Sequence, residues 1–154
     1  MEAGILQVAI GTDHAGFELK EDLVARLQKA GHEIVDVGAF DAEPSDYPDS
    51  AAAVARAVAS GDVERGIAVC GSGAGASIAA GKITGIRSAT IHDVYTAHQA
   101  VEHDGLNVLA IGARVIGSEL AWEITETFLA AEFSGGDRHL RRLAKVDILD
   151  RERK

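Results

Sequence analysis

Short apolar runs alternate along this chain with segments in which apolar residues recur every three or four positions. The apolar runs are rich in Val, Ile, Leu and Ala and are bounded by polar or glycine residues, a pattern typical of buried strands. They predict five strands, at residues 6–12, 32–38, 66–70, 87–92 and 107–112.

The segments between the runs have helical spacing. After the first strand, Leu19, Leu23 and Leu27 lie at i, i+4 and i+8, and Gly31 is a natural residue to end that helix. Further helices are predicted at about 49–60, from the glycine turn after residue 70 to about 83, at 94–103, along the stripe of Leu120, Ile124 and Phe128, and beyond Gly135.

This alternation predicts the fold class. Strands that alternate strictly with helices form right-handed crossovers and a parallel sheet with helices on both faces. We therefore expect a single α/β domain over residues 1–154, with five parallel strands and no interdomain linker. Ligands of such sheets bind at the carboxyl ends of the strands, where the strand order reverses.

Composition excludes several classes of function. The net charge of −9 argues against non-specific nucleic-acid binding, and no apolar run approaches the roughly 20 residues of a membrane helix. The single cysteine agrees with a reducing compartment, so we expect a cytoplasmic protein. Seven of the fifteen Lys and Arg residues lie at 138–154, which charge count alone interprets as a solvated helix face.

The residues whose side chains could take part in catalysis or binding lie at or just after the carboxyl ends of predicted strands. Asp13 and His14 follow the first strand, Cys70 ends the third, and Arg114 follows the fifth. Because these ends share one edge of a parallel sheet, we expect these side chains to form one site.

The stretch CGSGAGASIAAGK, which begins at Cys70, allows three interpretations. Gly71, Gly73 and Ala76 satisfy the dinucleotide fingerprint, with Asp93 downstream for a ribose hydroxyl, but the turn follows the third strand instead of the first. A P-loop fails, because Gly75 and Gly81 are one residue too far apart.

The third interpretation is a nest of backbone N–H groups that holds an oxyanion of a small substrate. The same field favours the thiolate form of Cys70, which would suit covalent catalysis or proton abstraction beside a carbonyl. The structural alternative is that Cys70 is an inert core residue at the end of an apolar strand.

The other candidates also have two interpretations each. Asp13 and His14 form either a base with its orienting carboxylate or a polar turn before a helix. Tyr47, which precedes a proline, is predicted in an extended loop, where it packs the sheet end or binds a ligand. Arg114 is an exposed charge or an anion clamp, and His103 lies where an acid–base role is plausible.

Arg138 and Arg142 share one helix face, which suits either a phosphate or simple exposure to solvent. The six His and one Cys show no metal-binding spacing, so no metal site is predicted.

Several motifs in order along the chain resemble the ribose/galactose isomerase family of sugar-phosphate isomerases. The resemblance spans nearly the whole chain. The matching stretches are GTDHAGFELK from Gly11, DYPDSA from Asp46, CGSGAGASIAA from Cys70, GIR from Gly85, NVLAIGARVIG from Asn107 and RHLRR from Arg138.

The resemblance implies a Rossmann-like domain and a homodimer, or a pair of dimers, with each active site at a subunit interface and the C-terminal helix, about 136–154, at that interface. It implies isomerisation of ribose 5-phosphate and ribulose 5-phosphate through a cis-enediolate, without metal or cofactor. Allose 6-phosphate, galactose 6-phosphate or a tetrose phosphate would be an alternative substrate. Outside the family, a dinucleotide-binding oxidoreductase and a non-catalytic sugar-phosphate sensor stay open.

The resemblance also implies residue roles. Cys70 would be the base, and Ala76 stands where other members place a glutamate. Ser72 would assist proton transfer and His103 would open the furanose ring. The substrate would contact Asp13, His14, Tyr47, the amides of Gly71, Gly73 and Gly75, Arg114, and, from the partner subunit, Arg138 and Arg142, with His139 nearby. Asp104, which departs from the family pattern, would instead bind an extra sugar hydroxyl.

Two positions depart from the family pattern. Asp104 stands where the family usually has an asparagine after the histidine, and Gly81 replaces an asparagine in AANK. An aspartate repels an enediolate unless it is protonated or turned away. Both changes therefore bear on which sugar phosphate is preferred.

Overall fold

The computed structural model describes residues 4–153, so the two ends of the predicted domain, residues 1–3 and 154, lie outside the described residues. The elements follow the predicted alternation. The strands are β1 (Gln7–Thr12), β2 (Glu33–Asp36), β3 (Arg65–Cys70), β4 (Ser88–Thr90) and β5 (Val108–Gly112). The helices are α1 (Phe17–Lys29), α2 (Tyr47–Ala59), α3 (Ala74–Ala80), α4 (Val94–Asp104), α5 (Ser118–Ala130) and α6 (Asp137–Arg151).

The five strands form one parallel sheet in the order β2-β1-β3-β5-β4. Helices α1, α4 and α5 cover one face, and α2 and α3 cover the other. The predicted three-layer α/β fold is therefore confirmed. The chain crosses from β2, on one side of β1, to β3 on the other side, so the strand order reverses between the carboxyl ends of β1 and β3.

Strand residues alternate between the two layers of the core. Val8 and Ile10 pack with α1 and α5, whereas Ala9 packs with α2. The core layer that contains Ala9 consists largely of alanines, which allows α2 and α3 to approach the sheet closely. Cys70 is only 4% exposed and belongs to this alanine-rich cluster.

Several predicted boundaries were wrong, and the first two below have a local cause. Helix α2 begins at Tyr47 instead of residue 49, because Pro48 lies in its first turn, where a missing N–H costs nothing. Strand β2 stops at Asp36, since Asp36 accepts the Gly38 amide and Gly38 adopts a φ of 96°. Helix α3 ends at Ala80, several residues before 83.

Strand β4 is three residues long, half of the predicted 87–92. At its start, the Arg87 amide donates to the side chain of Asn107 at 2.8 Å. At its end, His92 leaves the ladder, and its ring accepts the Gly112 amide instead. Side chains therefore replace ladder bonds at both ends of this edge strand.

Candidate active site

A cavity of about 580 Å³ opens where the strand order reverses, at the carboxyl ends of β1 and β3. Its position agrees with the general rule for ligand sites in parallel sheets. Eight of the ten lining residues were predicted as site residues. The lining consists of Asp13, His14, Ala15, Tyr47, Cys70, Gly71, Ser72, Gly75, Arg114 and Val115.

The glycine turn positions the sulfur of Cys70. Gly73 adopts a φ of 80°, and a Cβ there would lie 2.9 Å from the carbonyl carbon of Ile111, so only glycine fits. The Gly73 amide donates to Cys70 Sγ at 3.1 Å, and the Ala74 amide donates to Ser72 Oγ at 3.2 Å. The turn thus directs backbone N–H groups at the two side chains that were predicted to move protons.

Tyr47 lies over this turn from the start of α2, so its predicted placement in an extended loop was wrong. A Cβ on Gly75 would lie 2.6 Å from the Tyr47 ring, which requires glycine at that position. The ring is 41% exposed and also lines the cavity. Tyr47 therefore packs the sheet end while it faces the cavity.

Asp13 and His14 do not form a base with its orienting carboxylate. Asp13 Oδ1 accepts the amides of Ala15 (3.0 Å) and Gly16 (3.3 Å) and so caps the short 3-10 turn before α1. His14 Nδ1 accepts the Ser45 amide at 3.1 Å. The second interpretation, a polar turn before a helix, describes Asp13, and His14 is oriented by the loop before α2.

Arg114 follows β5 and lies beside the glycine turn. Its amide donates to the Gly71 carbonyl at 3.0 Å. Its Nη1 lies 3.5 Å from the place where a Cβ of Gly71 would be. The exposed guanidinium therefore lines the cavity and supplies a positive charge there.

Five other predicted residues form a second cluster, which does not line this cavity. Its members lie at the end of α4 and in the first turns of α6: His103, Asp104, Arg138, His139 and Arg142. The rings of His103 and His139 stack with centroids 4.2 Å apart, and Arg138 Nε donates to His139 Nε2 at 3.2 Å. The single chain thus carries two separate groups of predicted site residues.

The surroundings of His139 favour its neutral form. Burial lowers the pKa of His139, and its coulombic interactions with His103, Arg138 and Arg142 lower it further, whereas Asp104 opposes the shift. A neutral His139 can accept the Arg138 N–H. Arg138 and Arg142 are both exposed, so their guanidiniums can bind an anion.

Sequence reasoning missed two residues that orient the predicted histidines. Gln99 Nε2 donates to His103 Nδ1 at 3.0 Å, and the Ser45 backbone holds His14. The i,i+4 spacing of Gln99 and His103 on a predicted helix was a signal for the first contact. No sequence signal indicated the second, which joins residues 31 positions apart.

Two features are absent from residues 4–153. In that range, no group of three or more His, Cys, Asp or Glu side chains is arranged to hold a metal ion. No helix within the same range is both long and apolar enough to cross a membrane.

Known proteins resemble this chain over nearly its full length. The model of the Ribose/Galactose Isomerase family matches residues 8–146. Ribose-5-phosphate isomerase B of Escherichia coli is 44% identical over 147 residues, which cover 96% of this chain and 98% of that protein. D-erythrulose-4-phosphate isomerase of Pectobacterium atrosepticum is also 44% identical, over 86% of this chain and 88% of its own.

Solved structures agree with the fold. The structure of Clostridium thermocellum ribose-5-phosphate isomerase B is 44% identical and superposes with a TM-score of 0.92 over 95% of this chain and 98% of that chain. The type B ribose 5-phosphate isomerase of Trypanosoma brucei is 46% identical, with a TM-score of 0.90 over 95% of this chain and 99% of its own.

Proposed function

Because this chain belongs to the ribose/galactose isomerase family, we propose that it interconverts ribose 5-phosphate and ribulose 5-phosphate. The observation that carries the proposal is the placement of Cys70 and Ser72 beside the amides of the glycine turn, in a cavity where the strand order reverses. The family assignment replaces the dinucleotide interpretation of this turn. We also propose a cytoplasmic location, because a single cysteine suits a reducing compartment.

The reaction moves a proton between C1 and C2 of the open-chain sugar. The Cys70 thiolate removes the proton from C2, and the C–H electron pair forms the C1=C2 bond while O1 becomes an oxyanion. Amides of residues 71–75 stabilise this enediolate. Cys70 returns the proton to C1 while the O2 hydroxyl gives up its proton, with Ser72 as the relay between O1 and O2, which leaves the ketone at C2.

The second cluster completes the site from the partner subunit in this proposal. His103 does not line the cavity around Cys70, and we assign ring opening to the partner's His103. The partner's Arg138 and Arg142 bind the phosphate together with His14 and Arg114 of the first subunit. A phosphate held far from C1 and C2 provides binding energy that positions these atoms.

Exposed apolar side chains on α4 and α6, the helices that carry the second cluster, support a homodimer. Leu140 and Leu149 of α6 are 50% and 65% exposed, and Tyr95 of α4 is 67% exposed. Exposed apolar surface of this kind is typical of an interface. Burying it would bring α4 and α6 of one subunit against another copy. Two such dimers could pair further into a tetramer.

A tetrose phosphate is the second candidate substrate. One relative at 44% identity is a D-erythrulose-4-phosphate isomerase. Asp104, beside His103, adds a carboxylate that can accept a hydrogen bond from a sugar hydroxyl. The chemistry at Cys70 would be the same for both sugars, and only the fit of the sugar carbons beyond C2 would differ.

An isomerase assay across ribose, allose, galactose and erythrose phosphates tests the proposal, with wild type and Cys70→Ala side by side. Cys70-dependent conversion of ribose 5-phosphate would support it. Cys70-dependent turnover of another sugar alone would keep the mechanism and reassign the substrate. Binding of ribose 5-phosphate without exchange of its C2 proton into D₂O would identify a sensor and overturn the proposal.

A further inference from the structure

The chain at the end of the edge strand β4 makes one hydrogen bond to the glycine turn and one to the end of β5. Thr90 Oγ1 donates to the Gly73 carbonyl at 2.9 Å, and His92 Nε2 accepts the Gly112 amide at 2.9 Å. Between them, the Ile91 amide makes the last backbone bond from β4 to β5. Beyond this last ladder bond, the His92 side chain makes the next hydrogen bond to β5, at its last residue, Gly112.

Gly112 in turn supports the residues that carry the reaction. A Cβ on Gly112 would lie 2.5 Å from the carbonyl carbon and oxygen of Ser72, so the two backbones are in direct contact. Gly112 also pairs with Cys70 in the β3–β5 ladder, and the next amide, of Ala113, donates to the Cys70 carbonyl at 2.8 Å. A displacement of Gly112 would therefore move both Ser72 and Cys70.

The contact determines the protonation of His92. A backbone N–H can only donate, so Nε2 carries no proton, and the imidazole is neutral with its proton on Nδ1. A histidine in water prefers the opposite tautomer, with the proton on Nε2. The adjacent carboxylate of Asp93 accepts the Thr96 amide at 2.6 Å and caps α4.

We propose that His92 is a positioning residue of the isomerase: through Gly112, it holds Ser72 and the glycine turn in the geometry that the enediolate requires. The inference rests on the proposed function for its catalytic consequence. Its structural part, the Nδ1–H tautomer and the bond to Gly112, is independent of any substrate.

The tautomer is measured by NMR of the protein labelled with ¹⁵N-histidine, at neutral pH and without substrate. We expect one histidine, assigned by its absence in His92→Gln, to show a protonated Nδ1 and an unprotonated Nε2. A His92 signal with the proton on Nε2, or with both nitrogens protonated, would overturn the inference.

Kinetics test the catalytic part. In His92→Leu we expect kcat to fall, by up to about 10²-fold for a shift near 1 Å, while KM changes little. In His92→Gln, the side-chain oxygen can accept the Gly112 amide at a similar reach, so we expect most of kcat to return. A purely structural role would lower thermal stability in both variants without this rescue.

His32 provides a matched control. Its Nδ1 accepts the Leu6 amide at 3.2 Å, at the opposite end of the sheet, so His32→Leu removes a similar contact far from the cavity. We expect it to leave kcat unchanged. If wild type is inactive on every sugar phosphate, the proposed function is overturned. If wild type is active and His92→Leu keeps its kcat, only this inference is overturned.

Discussion

The imidazoles of His103 and His139 stack face to face, with 4.2 Å between centroids and 19° between ring planes. The contact joins the end of α4 to the start of α6. Each ring is also bound at an edge, His103 by the amide of Gln99 and His139 by the guanidinium of Arg138. The two histidines therefore form one rigid unit, from which the exposed arginines of α6 extend.

The first prediction concerns the pH dependence of stability through His139. Burial and neighbouring positive charges lower its pKa in the folded chain below the ordinary value of 6.5, so the unfolded chain binds the proton first. This contribution to stability is complete above pH 6.5 and is lost as the pH falls through the folded-state pKa. We therefore expect the free energy of unfolding to fall on acidification.

Urea unfolding between about pH 8 and pH 5 measures this slope. His139→Phe keeps an aromatic ring on His103 but cannot titrate, so its slope should be shallower than that of wild type. Identical slopes in wild type and His139→Phe would contradict the prediction.

The second prediction concerns phosphate binding by Arg138 and Arg142. They lie one helical turn apart, so two guanidiniums can bind one phosphate. Replacing either by Ala should weaken ribose 5-phosphate binding about 10- to 100-fold, since hydrogen bonds between charged groups are the strong ones. Binding of free ribose should change far less.

Arg141→Ala is the matched control, because Arg141 is an exposed arginine on the same helix. Calorimetric titration of wild type and the variants with both sugars separates the effects. Unchanged phosphate affinity in the Arg138→Ala, Arg142→Ala double variant would remove the assignment, as would an equal loss in Arg141→Ala.

The third prediction separates catalysis from packing at Cys70. If Cys70 is the base, Cys70→Ala should lower kcat by about 10²- to 10⁴-fold while ribose 5-phosphate still binds. If Cys70 is only a core residue, the same change in its alanine-rich cluster should lower the melting temperature and leave kcat intact. Steady-state kinetics, calorimetric titration and thermal melting of one protein sample distinguish the two.

The fold was predictable because the central strands β1, β3 and β5 are buried on both faces and form apolar runs, as at Val8, Ala9 and Ile10. Residues at the end of these runs or directly after them, such as Cys70 and Asp13, could be placed at one sheet edge by topology alone. The extent of β4 could not, because a side chain of another segment, Asn107, competes with the ladder for the Arg87 amide.

The site was less predictable than the fold, because its partners are remote in sequence. Tyr47 was misplaced because the rule for a residue before proline competes with the preference of proline for a helix's first turn. The contact between Gly75 and the Tyr47 ring, and the bond from Gly112 to His92, join residues at least 20 positions apart. No local pattern encodes such pairs.

The fourth prediction concerns Asp104 and the choice of sugar. Its exposed carboxylate lies beside His103 and His139, where it adds negative charge to a site for an anionic substrate. Asp104→Asn should raise the affinity for ribose 5-phosphate by at most about fivefold, the usual size of an exposed charge effect. It should also change the ratio of kcat/KM between ribose and erythrose phosphates, which the panel of sugars measures. Equal kcat/KM ratios in wild type and Asp104→Asn would show that Asp104 does not influence the choice of sugar.

The last prediction tests whether the two groups of site residues meet across a dimer. The cavity around Cys70 does not include His103 or Arg138, so a composite site requires a second copy of the chain. Cys70→Ala and His103→Ala should then each be inactive as homodimers, because every site lacks one group.

In a mixed dimer of the two variants, one site would carry both defects and the other would carry neither. Unfolding and refolding equal amounts together should restore roughly a quarter of wild-type activity, since half of the dimers are mixed and each has one intact site. Mixing Cys70→Ala with Cys70→Ser supplies the control, because no intact site can form. Full inactivity of the first mixture, when sedimentation shows that dimers have re-formed, would mean that one subunit supplies both groups.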